Sequence, residues 1–110
     1  MTEQQFPPPA WWYEATAAIS SNRFRRFEIP PLDYPVLEGV KHARYQLPEN
    51  PVEPGSVLAG GYLFSNLAGE LIDSKGVLAG GVDFATGIIV INLTVSPDPG
   101  TRLMQYALPA

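Results

Sequence analysis

Proline is the residue that divides this chain. Nine of its 12 prolines (Pro7, Pro8, Pro9, Pro30, Pro31, Pro35, Pro48, Pro51 and Pro54) fall within the first 54 residues, and none falls between Gly55 and Ser96. Proline has no N–H to give to a β-ladder and is confined to edge strands, strand starts and bulges. The first half is therefore expected to run extended, while the second half is free to build a sheet. The distribution predicts an extended N-terminal arm and connecting segment over residues 1–50 and a β-domain over residues 51–110.

A chain of 110 residues is one domain's worth. Its hydrophobic share is 45% and its charged share only 16%, against about 25% charged in an ordinary globular protein. Such a chain either carries a plain apolar surface or is covered by neighbouring molecules. The net charge of −4 and a pI near 4.8 argue against a general nucleic-acid binder. Residues 1–48 balance five basic residues (Arg23, Arg25, Arg26, Lys41, Arg44) against five acidic ones, whereas residues 49–110 set Lys75 and Arg102 against six. A neutral arm and an acidic body can attract one another between subunits, weakly and under salt screening. There is no cysteine for a disulfide or a thiolate metal site. No apolar run is long enough to span a bilayer, and the start MTEQQFPPP has neither the basic end nor the apolar core of a secretory signal.

Pro7-Pro8-Pro9 favours a polyproline II arm. Trp11, Trp12 and Tyr13 follow it directly. Rings of this size bury about 150–250 Å² each, so they either fold back on their own domain or anchor the arm on a neighbour. The alanine-rich stretch Tyr13–Ser21 is the one plausible helix, worth a turn or two if docked. In Asn22–Glu28 two phenylalanines interleave with three arginines. At period two Phe24 and Arg26 share one side and Arg25 and Phe27 the other, which suits a strand or subunit contact better than a nucleic-acid strip. Residues 29–54 read as extended connection with a short strand at Val40–Leu47.

The second half reads as strands and turns. Val57–Phe64 is a strand interrupted by Gly60-Gly61, predicted to be a bulge or a close backbone approach. Turns are predicted at Asn66–Gly69 and Asp73–Gly76, with a short strand at Glu70–Ile72 between them. Residues 82–95 read as a hairpin in which Asp83 opens the loop and Gly87 takes a positive φ, with Ile89, Ile91, Leu93 and Val95 as the core face. Gly55 precedes the first strand; Pro97, Pro99 and Gly100 fix a turn before a closing strand that sets Met104, Tyr106 and Leu108 on one face. The predicted fold class is all-β: a small antiparallel sandwich or barrel with an extended proline-rich N-terminal arm and at most one short helix.

Several of these segments recur in order in another setting. Pro54-Gly55-Ser56-Val57, the Asn66–Gly69 turn, Gly81-Val82-Asp83-Phe84-Ala85-Thr86-Gly87, the apolar run Ile88–Leu93, Pro97-Asp98-Pro99-Gly100-Thr101 and Tyr106 resemble a β-module of tailed-phage virion proteins. The resemblance covers about residues 52–108 and departs from the pattern at Phe84, where tyrosine is usual, and in a shorter, less acidic turn at Asn66. It implies a virion component, and the module occurs in head, neck and tail proteins alike.

No residue pattern points to catalysis. His42 is the single histidine, and Glu38 would partner it at i−4 only on a helix that Gly39 and the nearby prolines oppose. Asp73 and Asp83 sit at turns, where aspartate bonds its own backbone. The expectation is a non-enzymatic assembly subunit without cofactor or metal, with neither nucleic acid nor membrane as partner. It is placed in a virion assembled in the host cytoplasm. Its partners are copies of itself and other virion proteins, above all the major capsid protein. The arm residues Pro7, Pro8, Pro9, Trp11, Trp12, Tyr13, Phe24 and Phe27 are the expected interface. A head decoration or cement role is favoured over a tail, neck or baseplate subunit, and over a receptor- or carbohydrate-binding module with the three aromatics as a sugar platform.

Overall fold

In the computed structural model, which describes residues 8–96 and 102–110, the chain is mostly β with one short helix. The helix α1 spans Ala10–Thr16, and a 3-10 turn at Ser21–Arg23 leads into the strands. These are β1 (Phe24–Ile29), β2 (Val36–Leu37), β3 (Val40–Gln46), β4 (Leu58–Ala59), β5 (Leu63–Ser65), β6 (Glu70–Ile72), β7 (Leu78–Asp83), β8 (Ile88–Asn92) and β9 (Arg102–Ala107). They form one antiparallel sheet in the order β1-β9-β4-β5-β6-β7-β8-β3-β2, curled into a half-barrel with β1 and β2 at its ends. Strands β4 to β8 follow one another as a meander; β3 and β2 extend one end, and β9 returns between β4 and β1.

The first half of the chain thus supplies strands to the same sheet as the second. Phe24–Ile29 pairs along its length with β9, and His42–Gln46 pairs with β8. Pro30, Pro31 and Pro35 sit past a strand end or on the outermost chain. Pro30 and Pro31 follow the last residue of β1, and Pro35 lies on the outermost chain, where its carbonyl accepts the His42 N–H at 2.8 Å. Asp33 and Leu32 continue that edge along Arg44, with hydrogen bonds of 2.9 and 2.5 Å.

The core lies inside the curl. Alternate residues fill it: Ala43 and Tyr45 from β3, Ile89 and Ile91 from β8, Met104 and Tyr106 from β9. Leu47, Val52, Val57, Leu63, Leu71 and Val82 complete it. The predicted core face of β8 holds at Ile89 and Ile91, and Leu93 packs partly against the cluster, but Val95 is 45% exposed. The strand stops because Asn92 turns the chain. Its side-chain oxygen accepts the Thr94 N–H at 2.8 Å, and its carbonyl accepts the Val95 and Ser96 N–H groups.

Two other local readings change. Gly60-Gly61 is a hairpin turn rather than a bulge: both residues take positive φ, and Ala59 pairs directly with Leu63 across it. The helix begins at Ala10, three residues before the predicted start. Pro9 (φ −65°, ψ 154°) is extended and leads straight into it, and burial of Trp12 recruits the aromatics into the helical turn. The turns at Asn66–Gly69 and Asp73–Gly76 lie where the sequence puts them, each closed by an aspartate or asparagine side chain accepting two backbone N–H groups.

Gly87 takes φ +76°, and a Cβ there would meet Gln46, Leu47 and Asn50 at 3.2–3.4 Å. Gly87→Val therefore combines left-handed strain with overpacking, and should cost about 2–4 kcal/mol. An unchanged melting temperature would refute the required geometry.

Candidate subunit-interface surface

The expected interface residues separate in the fold. Pro7 lies outside the described residues; Pro8 and Pro9 are half-buried and lead into α1. Trp12 is buried, its ring set edge-on to Phe64 with centroids 5.2 Å apart. Trp11 is half-buried and, with Ala15, Leu67, Ala68 and Ile72, borders an open apolar depression of about 470 Å³. Tyr13 is exposed. Consecutive helical positions face different directions, so the three aromatics do not share one exposed platform.

Phe24 and Phe27 lie on β1 and face opposite sides of the sheet. Phe27, 43% exposed, stacks on Tyr106 with centroids 6.3 Å apart. The Tyr106 hydroxyl donates to Glu49 at 2.9 Å. Burial first and the Glu49 carboxylate second push this phenol well above the usual tyrosine range, so it stays a donor throughout the physiological interval.

The predicted structural turns are in place where they are described. Gly55 takes φ +79°, and a Cβ there would come within 2.9 Å of Leu67. Asp83 accepts the Ala85 N–H through its side chain and the Gly87 N–H through its carbonyl. Pro97, Pro99 and Gly100 lie outside the described residues.

An apolar projection belongs to a segment read from sequence as extended connection. Strands β2 and β3 form a ribbon closed by Glu38-Gly39, both at positive φ (53° and 78°), as a two-residue primed turn requires. Val36 is 64% exposed, Leu37 56% and Leu32 57%, with Tyr34 beside them. Val36 and Leu37 are consecutive on a strand, so β2 puts one apolar side chain on each face of the ribbon, Val36 opposite Lys41 and Leu37 opposite Val40. Its base is fixed by two hydrogen bonds from Arg44 to the Asp33 carboxylate, at 3.0 and 2.5 Å, and Lys41 sits 4.9 Å from the Tyr34 ring centroid. Alongside runs an open depression of about 640 Å³ bordered by Val36, Leu37, Val40, His42 and Asn92. The available signal was Leu32, Tyr34 and Val36 at period two, with Pro35 between them concealing it.

Among the described residues no group of three or more histidine or carboxylate side chains is placed to hold a metal ion. No known family, curated protein or solved structure matches the chain.

The placement of the aromatics sets a stability contrast. Trp12→Ala should cost about 3–5 kcal/mol in denaturant unfolding, whereas Tyr13→Ala should stay within about 0.5 kcal/mol of the parent. Equal losses would contradict the burial of Trp12.

Proposed function

We propose that this chain is a structural subunit of a bacteriophage virion, a head decoration or cement protein that stabilises the shell by docking on the major capsid protein. The observation that carries the reading is the β2–β3 ribbon, whose exposed Val36 and Leu37 project one on each face and whose base is supported by the Arg44–Asp33 pair. An exposed apolar projection on a chain only 16% charged is suited to burial against another protein. The ordered resemblance over residues 52–108 supplies the virion context. The proline-rich N-terminal arm adds a second contact, reaching over the shell from the half-buried Pro8-Pro9 and the exposed Tyr13. Proline stiffens such an arm and lowers the entropy lost when it docks. The subunit acts by contact rather than by catalysis, and its partners are capsid protein and copies of itself.

The test is decoration of purified heads lacking the chain, read by co-sedimentation and electron microscopy. The parent protein should bind heads at discrete positions. Val36→Glu combined with Leu37→Glu should lower occupancy by about tenfold or more, since each side chain forfeits about 1.5–3 kcal/mol of apolar burial, while the melting temperature stays unchanged. Occupancy on tails alone would replace the decoration role with a tail, neck or baseplate one. Absence of the parent chain from every particle component would sink the virion reading.

A further inference from the structure

The two ends of the open sheet are chemically unlike. The β2 end is only two residues of ladder, and so short an edge strand is a poor template for another. The β1 end is six residues long with no proline inside it. An unprotected edge strand is a template for another strand, and we propose that β1 pairs with β1 of a second copy, antiparallel about a two-fold axis through Phe27. From the preceding reading this takes only the identity of the partner as another copy of the chain.

The register follows from which backbone groups are free. The Leu108 N–H donates to the Arg23 carbonyl at 2.9 Å, and pairing continues from Phe24 opposite Ala107 to Ile29 opposite Arg102. In an antiparallel ladder, alternate residues exchange both their bonds with the partner strand. Residues 25, 27 and 29 therefore bond to β9, and residues 24, 26 and 28 point their N–H and C=O groups outward. Phe24 is already engaged, its N–H with the Ser21 carbonyl and its carbonyl with the Arg25 guanidinium at 3.1 Å. Among the described residues, the outward backbone groups of Arg26 and Glu28 are left to pair across the edge. Beyond them Pro30 has no N–H to offer.

Symmetry then selects one arrangement. Residues opposite one another in an antiparallel pair share a face, so a two-fold axis must pass through a residue of β1. An axis at Arg26 would set like charges against each other, which is unfavourable. An axis at Phe27 sets Arg26 opposite Glu28 of the second copy, twice. This gives four backbone hydrogen bonds and two opposite-charge pairs on the outer face. The half-exposed Phe27 rings, each stacked on Tyr106, meet across the axis on the inner face. Among the described residues, the Arg26 guanidinium and the Glu28 carboxylate have no other partner. The strand is complementary to itself.

The experiment is a concentration series of the isolated chain in analytical ultracentrifugation, with three variants. The parent should approach twice the 12.0 kDa of the chain as concentration rises. Arg26→Glu and Glu28→Arg should each weaken dimerisation by about tenfold or more, because both cross-axis pairs become like-charged. Equal mixing of those two variants should restore the doubled mass as a heterodimer, and R26E/E28R in one chain should restore the homodimer. Both substitutions are on exposed side chains, and unchanged melting temperatures would verify that the variants fold. A parent that stays at chain mass throughout, or swaps that neither weaken nor restore association, overturns the proposal. The measurement uses no particle. Loss of the dimer with head decoration intact removes this pairing alone, and the reverse result removes only the particle reading.

Discussion

The fold depends on where β9 goes. Strands β4 to β8 can form by successive hairpins, each needing only the turn beside it. Nothing local brings β1 to that meander. The link is the last strand, which inserts between β1 and β4 and pairs with both. Met104 and Tyr106 carry its core face, and the polar bonds gather at its end. The Ala107 N–H donates to the buried Ser56 hydroxyl, the Ala107 carbonyl accepts the Glu53 N–H, and the Leu108 carbonyl accepts from Arg23, which also holds Glu53 at 2.9 Å. Ser56 and Ser65 are buried polar groups whose hydroxyls are used, Ser65 accepting the Val57 N–H at 2.9 Å. Each would be costly if left unsatisfied, so the register of β4 and β9 is fixed by polar pairing as well as by packing.

The second half was the more legible part because its signals are short-range. A glycine after a turn, an asparagine or aspartate before it and period-two apolar residues fix Gly87, the 66–69 and 73–76 turns and the inner face of β8. The insertion of β9 has no such signal, since pairing across some eighty residues leaves no trace in either segment. Gly60-Gly61 was ambiguous for another reason. A glycine pair within an apolar run suits a bulge or a turn equally, and only the positive φ at both positions separates them.

The helix and the interface were less legible because tertiary packing decided them. Trp11, Trp12 and Tyr13 are equivalent in sequence, yet the position of Phe64 sends one ring inward and leaves Tyr13 in solvent. The effect of the prolines is finer than a division at residue 50. Pro30 follows the end of β1 and Pro35 precedes β2, and the strands beside them join the sheet.

The low charge of the chain and the shape of its sheet belong to one physical argument. A closed barrel leaves no edge strand, and a charge-rich surface would carry lysines on the edges it has. This chain has two ends to its sheet and few charges to spend on them. At the β2 end the strand is only two residues long, and the side chains there are apolar. At the β1 end no other described strand pairs with the outer backbone, and the outward side chains Arg26 and Glu28 alternate in sign. An end so short engages chiefly through side chains, whereas a longer one can engage through main-chain hydrogen bonds as well. The two ends therefore suit two different contacts, an apolar one to a dissimilar surface and a strand-to-strand one to a matching edge.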